Sequence, residues 1–472
     1  MHPCQIKVAN ERWRSSQNMV ERLRVRAWLG GLCMAWVAVL GLGAASLAMP
    51  AKAQHLPAGY GERPTIPPPA QRWLPTVNWS VASEPWRHGE APKPAATLEV
   101  GAFARGLKHP RWLHVLPNGD VLVAEAATEP EASWWPRAVI QNMVQRRSGA
   151  IVENANRISL LRDKDGDGVA EERFVLLEGL RQPFGMALIN EALYVANTDS
   201  VVRFPYRSGV TRISDKGTKL LDLPVGHHWT RALLASPDGS KLYVTVGSGS
   251  NIAEKGMALE AGRATILELD IASGRARTFA SGLRNANGMA FEPTSGQLWT
   301  VVNERDEIGD DVPPDYLTSV KDGGFYGWPY SYWGKNVDNR VKPPRPDLVA
   351  TALTPDYALG AHTASLGLAY YGNDALPAPF RDGMFIGQHG SWNRREYSGY
   401  KVIFVPFRDG RPAGNPIDVL TGFLKDDASG VAHGRPVGVA IDAQGAVLVA
   451  DDTGNTIWRI SASRRQSQSA PQ

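Results

Sequence analysis

Apolar residues recur along most of this chain in short runs, joined in pairs by turns that carry Gly, Pro, Asn or Asp. One such pair runs from Pro110 to Ala124: an apolar stretch, a Pro-Asn-Gly-Asp turn, then Val-Leu-Val-Ala. Comparable pairs begin at Pro183, Arg231, Asn287, Ser365 and Pro436, about 65 residues apart, the fifth with a longer turn. Further apolar runs follow the pairs, as at 157–161, 265–269 and 456–460. Runs this short, bounded by turn residues, predict strands. Six copies of such a unit predict six sheets of about four strands. The fold class is therefore all-β, a six-bladed β-propeller with four-stranded blades, in which radial repetition leaves only short sheet edges. A sandwich or a barrel would not explain the repeat.

The propeller reading brings distant residues together. It places the start of every inner strand at one end of a central channel, so residues at these starts wall a common mouth. Two segments break the period: 129–156, with Trp134-Trp135 and a helix-like run at 138–144, and 306–359. Insertions of that length sit on a face, where they wall a pocket or dock a partner.

The ends of the chain read differently. Arg22, Arg24 and Arg26 precede the apolar run 27–49, and Ala51-Lys52-Ala53 has the small-x-small form of a cleavage site. Residues 1–53 are thus expected to be a secretory signal peptide, which makes the protein periplasmic or secreted. The competing reading is an uncleaved leader that anchors the chain in a membrane. Residues 54–94 are proline-rich, an extended arm or linker, and 463–472 read as a disordered tail around a propeller at 95–462. Removing the leader takes away Cys4 and Cys33, leaving no disulfide and no thiol ligand. The leader also carries seven basic and two acidic residues, which turns the net charge of +4 into −1 and offers nothing to nucleic acid.

The chemistry gathers at the starts of the inner strands. His227, His228 and Arg231 stand at the third copy, Arg284, Asn285 and Asn287 at the fourth, and Arg435 at the sixth. Arginines converging on one mouth suit an acidic ligand, because a guanidinium grips a carboxylate with two parallel hydrogen bonds. The plainer alternative pairs each arginine with an acid of the neighbouring blade. A histidine here serves as a base, a metal ligand or a structural hydrogen bonder. No Gly-x-Ser-x-Gly, His-Glu-x-x-His or nucleotide-binding Gly-rich loop is present.

Four stretches carry a resemblance: His228-Trp-Thr-Arg with the Pro237-Asp238-Gly239 turn, Gly282-Leu-Arg-Asn-Ala-Asn-Gly, Gly323-Gly-Phe-Tyr-Gly-Trp-Pro and Gly434-Arg-Pro-Val-Gly. The chain resembles the soluble quinoprotein glucose/sorbosone dehydrogenases, and within them the L-sorbosone dehydrogenase-like branch, over about residues 95–462. The resemblance implies a six-bladed propeller that uses pyrroloquinoline quinone (PQQ) with calcium. It implies oxidation of a sugar or aldehyde, with electrons passed to a cytochrome or quinone acceptor. His228 matches the family's catalytic base, with His227 as the fallback. Arg284, Asn285 and Arg435 match cofactor-binding positions, and backbone carbonyls at Glu304 and Arg305 match the calcium site. The chain departs from the pattern at several places. Asn287 stands where a Gln is frequent, Ser248 where an acid orients the histidine, and Val437 where a second arginine is found. The Lys expected near Gly390 is missing, with Arg394 as the substitute.

Asp163, Asp165 and Asp167 alternate in Asp-Lys-Asp-Gly-Asp-Gly, like the start of a calcium loop. Phe174 at the twelfth position excludes an EF-hand and leaves either a structural calcium loop or an unmetallated acidic turn. Two rival functions also remain on this fold. A calcium-dependent lactonase needs acidic metal ligands at a mouth that here is cationic. A non-catalytic binding propeller is open to any propeller sequence.

Overall fold

A computed structural model describes residues 59–70, 76–78, 81–82, 84–132, 136–426 and 428–463. The leader, the Trp134-Trp135 pair and the tail beyond residue 463 lie outside these residues.

Among the described residues six of the eight sheets are blades, each opening with one of the strands expected from the repeat and antiparallel throughout its first four strands. The inner strands are Pro110–Val115, Met186–Ile189, Leu233–Ala235, Asn285–Glu292, Ser365–Tyr371 and Pro436–Ile441. Each packs beside the inner strand of the next blade, and the sixth packs beside the first, closing the ring. The chain is a six-bladed β-propeller.

The packing explains a glycine that several inner strands share. A Cβ on Gly185 would lie 2.3 Å from the Leu233 nitrogen, on Gly288 2.5 Å from that of Leu368, and on Gly367 2.1 Å from the Val437 carbonyl. At these positions adjacent inner strands meet backbone to backbone, a spacing only glycine allows. The flanking apolar side chains fill the space between blades: Phe184, Met186, Ala286 and Val437 lie in one continuous buried cluster.

The ring closes with a strand from the wrong end of the sequence. Leu98–Arg105 pairs antiparallel with Thr456–Ala462 and becomes the outermost strand of the sixth blade. The last blade is thereby completed by the first strand of the propeller.

Two sequence expectations change. The segment 306–359 is not wholly an insertion, because Pro314–Ser319 is the third strand of blade four and Tyr357–Ala361 the fourth. Two consecutive prolines at its start, Pro313 and Pro314, conceal that strand. The described parts of the proline-rich arm are stitched to the blades: Tyr60–Gly61 extends blade four and Lys93–Pro94 extends blade five. The insertion in blade one does hold the expected helix, Pro136–Arg147. Among the described residues, no helix is long and apolar enough to cross a membrane.

Candidate active site

The inner strands start at one end of the channel, and the second strand of each blade ends there. His228 precedes the inner strand of blade three, and Gly247-Ser248 follows that blade's second strand. His228 Nδ1 lies 2.9 Å from the Ser248 carbonyl and 3.1 Å from the Ser248 hydroxyl. That hydroxyl donates to the Ser250 carbonyl at 2.7 Å, so its oxygen is left to accept. Both contacts therefore call for a proton on Nδ1, which leaves Nε2 with the lone pair. Burial, the adjacent His227 ring and the Arg284 charge hold the His228 pKa well below the ordinary value. The imidazole is neutral at pH 7 and competent to take a proton. Ser248 thus does, with its carbonyl, the orienting expected of an acid.

Blade four completes this side. Gly247 is needed here, since a Cβ would fall 2.4 Å from Asn285 Oδ1 and 2.6 Å from His228 Cβ. Asn285 Oδ1 is buried and makes no hydrogen bond to the protein. A buried acceptor without a partner is uncommon and costs free energy unless a ligand or water supplies one. Arg284, also buried, donates to the Glu304 carbonyl at 2.6 Å and the Asn251 side chain at 3.0 Å, and pairs with Asp306 at 3.2 Å. Asn251, which also accepts the Trp328 indole N–H, carries no motif and was not expected.

The other side of the mouth is built by blades one, five and six around Asp452. Its carboxylate meets Arg111, lies 2.8 Å from His389 Nε2 and 3.5 Å from His109 Nε2. Burial alone would raise the Asp452 pKa, but the Arg111 charge and the two imidazoles, which would gain charge only with the carboxylate beside them, outweigh it and hold it well below the usual carboxylate range. Arg435 lies close enough for its charge to act on Arg111 and His389. One arginine and two histidines thus face one buried carboxylate, and nearby Arg435 donates to the Ser148 carbonyl at 3.0 Å. Arg111, His109, His389 and Asp452 were not among the expected residues. Arg111 had a signal, since it follows Pro110 at the start of an inner strand. Trp229 joins the two sides: it adjoins His228, and the Arg111 guanidinium stands 5.4 Å from its ring centroid, a cation–π distance.

The remaining expected residues fall elsewhere. Arg231 is completely buried and donates to the carbonyls of His228 at 2.6 Å, Thr230 at 2.8 Å and Pro224 at 2.7 Å. It shapes the mouth as scaffolding and does not present a cation to it, a correction to the three-arginine expectation. Asn287 is equally buried, accepting from Thr230 at 3.0 Å and donating to the Asn285 carbonyl at 3.2 Å. Arg394 pairs with Asp311 at 2.7 Å and donates to the Asp310 and Glu396 carbonyls, so it is not gathered with the two clusters. The Arg305 side chain is buried against Asp338 at 3.0 Å. Burial pushes the Glu304 carboxyl up to about 8. Asp163, Asp165, Asp167 and also Glu171 bring carboxylate oxygens within 4.8 Å of one another, in the loop between the third and fourth strands of blade one.

A family model described as TrAA12-like matches residues 92–316 and 349–463. The chain belongs to the TrAA12-like family. The Gly323–Pro329 motif falls in the gap of that match. A PQQ-dependent pyranose dehydrogenase of Coprinopsis cinerea is 26% identical over 297 residues, covering 50% of this chain and 39% of that protein. The aldose sugar dehydrogenase YliI of Escherichia coli is 32% identical over 114 residues, 24% of this chain and 29% of its relative. The chain thus spans well under half the length of either relative. Among solved structures, family AA12 of Trichoderma reesei superposes with a TM-score of 0.65 at 20% identity, over 82% of this chain and 100% of that one. The holo PQQ domain of the Coprinopsis enzyme gives 0.65 at 21% identity, over 80% and 98%. Both share the fold.

Proposed function

We propose that this TrAA12-like chain is a PQQ-dependent sugar dehydrogenase, with His228 as the base that accepts the proton from the substrate's hydroxyl. The observation that carries the reading is the two-sided mouth. A neutral, oriented imidazole and an unpartnered buried amide oxygen stand on one side, and two arginines near a single buried carboxylate on the other. The tricarboxylate PQQ fits these residues. Arg111 and Arg435 would hold its carboxylates, and Asn285 Oδ1 would gain a donor. When bound, the quinone supplies a two-electron acceptor, which the side chains at the mouth lack. The chain's own part is to bind, orient and move a proton. Ser248 fixes the His228 tautomer, and the nearby cations stabilise negative charge that develops at the mouth.

Calcium at the Glu304 carbonyl fits less well. That oxygen already accepts from the Arg284 guanidinium at 2.6 Å. A divalent ion would be set against a fixed positive charge, so no step is assigned to it. The substrate class follows the relatives: an aldose or pyranose, with L-sorbosone and simple aldehydes as further candidates. Electrons leave to a cytochrome or a quinone. The signal-like leader supports a periplasmic or secreted location.

Turnover tests this reading. Protein loaded with PQQ is expected to reduce a dye with an aldose, and His228→Ala to retain PQQ while losing dye reduction. Full turnover by His228→Ala would remove His228 from the chemistry.

A further inference from the structure

The arm that precedes the family match touches the site. The match begins at residue 92, yet the arm before it crosses the loops that carry the mouth. Thr76 Oγ1 donates to Asp310 Oδ1 at 2.7 Å, and the Asn78 amide donates to the Trp392 carbonyl at 2.8 Å. These contacts hold the loops that follow the second strands of blades four and five. Val81–Ala82 then pairs with Val431–Ala432, just ahead of Arg435.

Trp86 is where the arm reaches inward. Its indole N–H donates to Asp451 Oδ2 at 2.8 Å. Its ring stacks on His433, with centroids 4.7 Å apart, and meets Trp458 and Phe423 edge-on. Asp451 is fully buried. Its Oδ1 accepts the backbone N–H of Arg435 at 2.8 Å and of Gly454 at 2.9 Å, while Trp458 Nε1 donates to Oδ2 at 3.1 Å. A Cβ on either Gly434 or Gly454 would fall 2.1 Å from Asp451 Oδ2. The carboxylate is thus clamped between two glycine backbones, one of them adjacent to Arg435. A buried carboxylate of this kind is stable only while its donors are in place.

We propose that Trp86 is a positioning residue for the cofactor site, setting the backbone of Arg435 through Asp451 and His433. The inference rests on the reading of Arg435 as a cofactor arginine. It assigns the arm a role in the site that the family-matching part of the chain does not contain. Packing alone would make Trp86 a stability residue. Hydrogen bonding through Asp451 makes it a determinant of where Arg435 stands.

Trp86→Phe separates these, since it retains an aromatic ring and removes the N–H. The first readout is amide hydrogen exchange of the full-length apoprotein, and the second is PQQ affinity. Trp86→Phe is expected to speed exchange at the Arg435 and Gly454 amides about ten-fold, the scale of one lost hydrogen bond to a charged group. Exchange in blades two and three should stay unchanged, and PQQ should bind about ten-fold more weakly. Replacement of Trp86 by benzothienylalanine, an isostere without the N–H, should act likewise if the Phe variant folds poorly. Arg87→Ala, an exposed arm position, should change nothing. Wild-type exchange at Arg435, or acceleration spread evenly over all blades, would overturn the proposal. Faster exchange at Arg435 with no PQQ binding by the wild type would keep the coupling and overturn the cofactor reading beneath it.

Discussion

The two sides of the mouth use cations in opposite ways. On the blade-three side, Arg231 spends its guanidinium on three backbone carbonyls and Arg284 is held by Glu304, Asn251 and Asp306. These arginines fix the loops that carry His228 and Asn285. On the Asp452 side, Arg111, His389 and His109 crowd a single carboxylate, with Arg435 close by. Equivalent positions in a repeat therefore share geometry without sharing a task. What decides the task is the local balance of charge and carbonyl acceptors.

The comparison breaks most visibly at Arg231. Its replacement by Met strands the carbonyl of buried Thr230 and those of half-buried His228 and Pro224, at about 1–3 kcal/mol for each that water does not reach. Arg231→Met is expected to lose about 4 kcal/mol or more in a denaturant melt. A variant of wild-type stability would mean that this arginine is no scaffold.

Next in size is His228→Ala. Dye reduction should fall about a thousand-fold, the scale of a lost general base, with the melting midpoint held. A fall in stability matching the fall in rate would move His228 to the scaffolding group.

Acid sharpens the contrast on the Asp452 side. Burial pushes His109 down to about 4, so the native site refuses a proton that the unfolded chain accepts below its ordinary value. The unfolded state then binds more protons between pH 6.5 and 4, and stability falls as pH falls through that window. The loss is on the order of 3 kcal/mol. His109→Asn suits the left-handed backbone at this position, where φ is 54°. His114, His227, His228 and His389 are lowered as well, so the variant should reduce that slope by about one proton's share in melts at pH 7 and 4.5, and an unchanged slope would place the acid sensitivity wholly on the others.

Arg435→Gln is expected to weaken PQQ about ten-fold, as for a lost charge-assisted contact. Arg394→Ala is expected to change affinity less than about two-fold, because its partner Asp311 is an exposed rim acid. A larger loss from Arg394 than from Arg435 would reverse the assignment of the two sides.

The blades were legible because the repeat is a packing rule. Gly185, Gly288, Gly367 and Gly438 lie where inner strands meet, in blades two, four, five and six. His228 and Asn285 were legible for the same reason, since the repeat places them at strand starts. Ring closure by Leu98–Arg105 was not, because which strand pairs with which is a long-range fact with no local pattern. Asp452, His109 and His389 escaped notice because they come from different blades and become a cluster only in space. Arg231 misled because an arginine at a strand start looks the same whether its guanidinium faces a ligand or its own backbone. Trp86 lay in a proline-rich stretch whose composition says nothing of the carboxylate it reaches.

Whether the mouth binds a tricarboxylate quinone is decided by titrating the purified protein with PQQ and following the cofactor's absorbance. Saturation is expected at one PQQ per chain, weakened by Arg435→Gln and retained by His228→Ala. No saturable binding would contradict it and would favour a hydrolase or a binding propeller on the same fold.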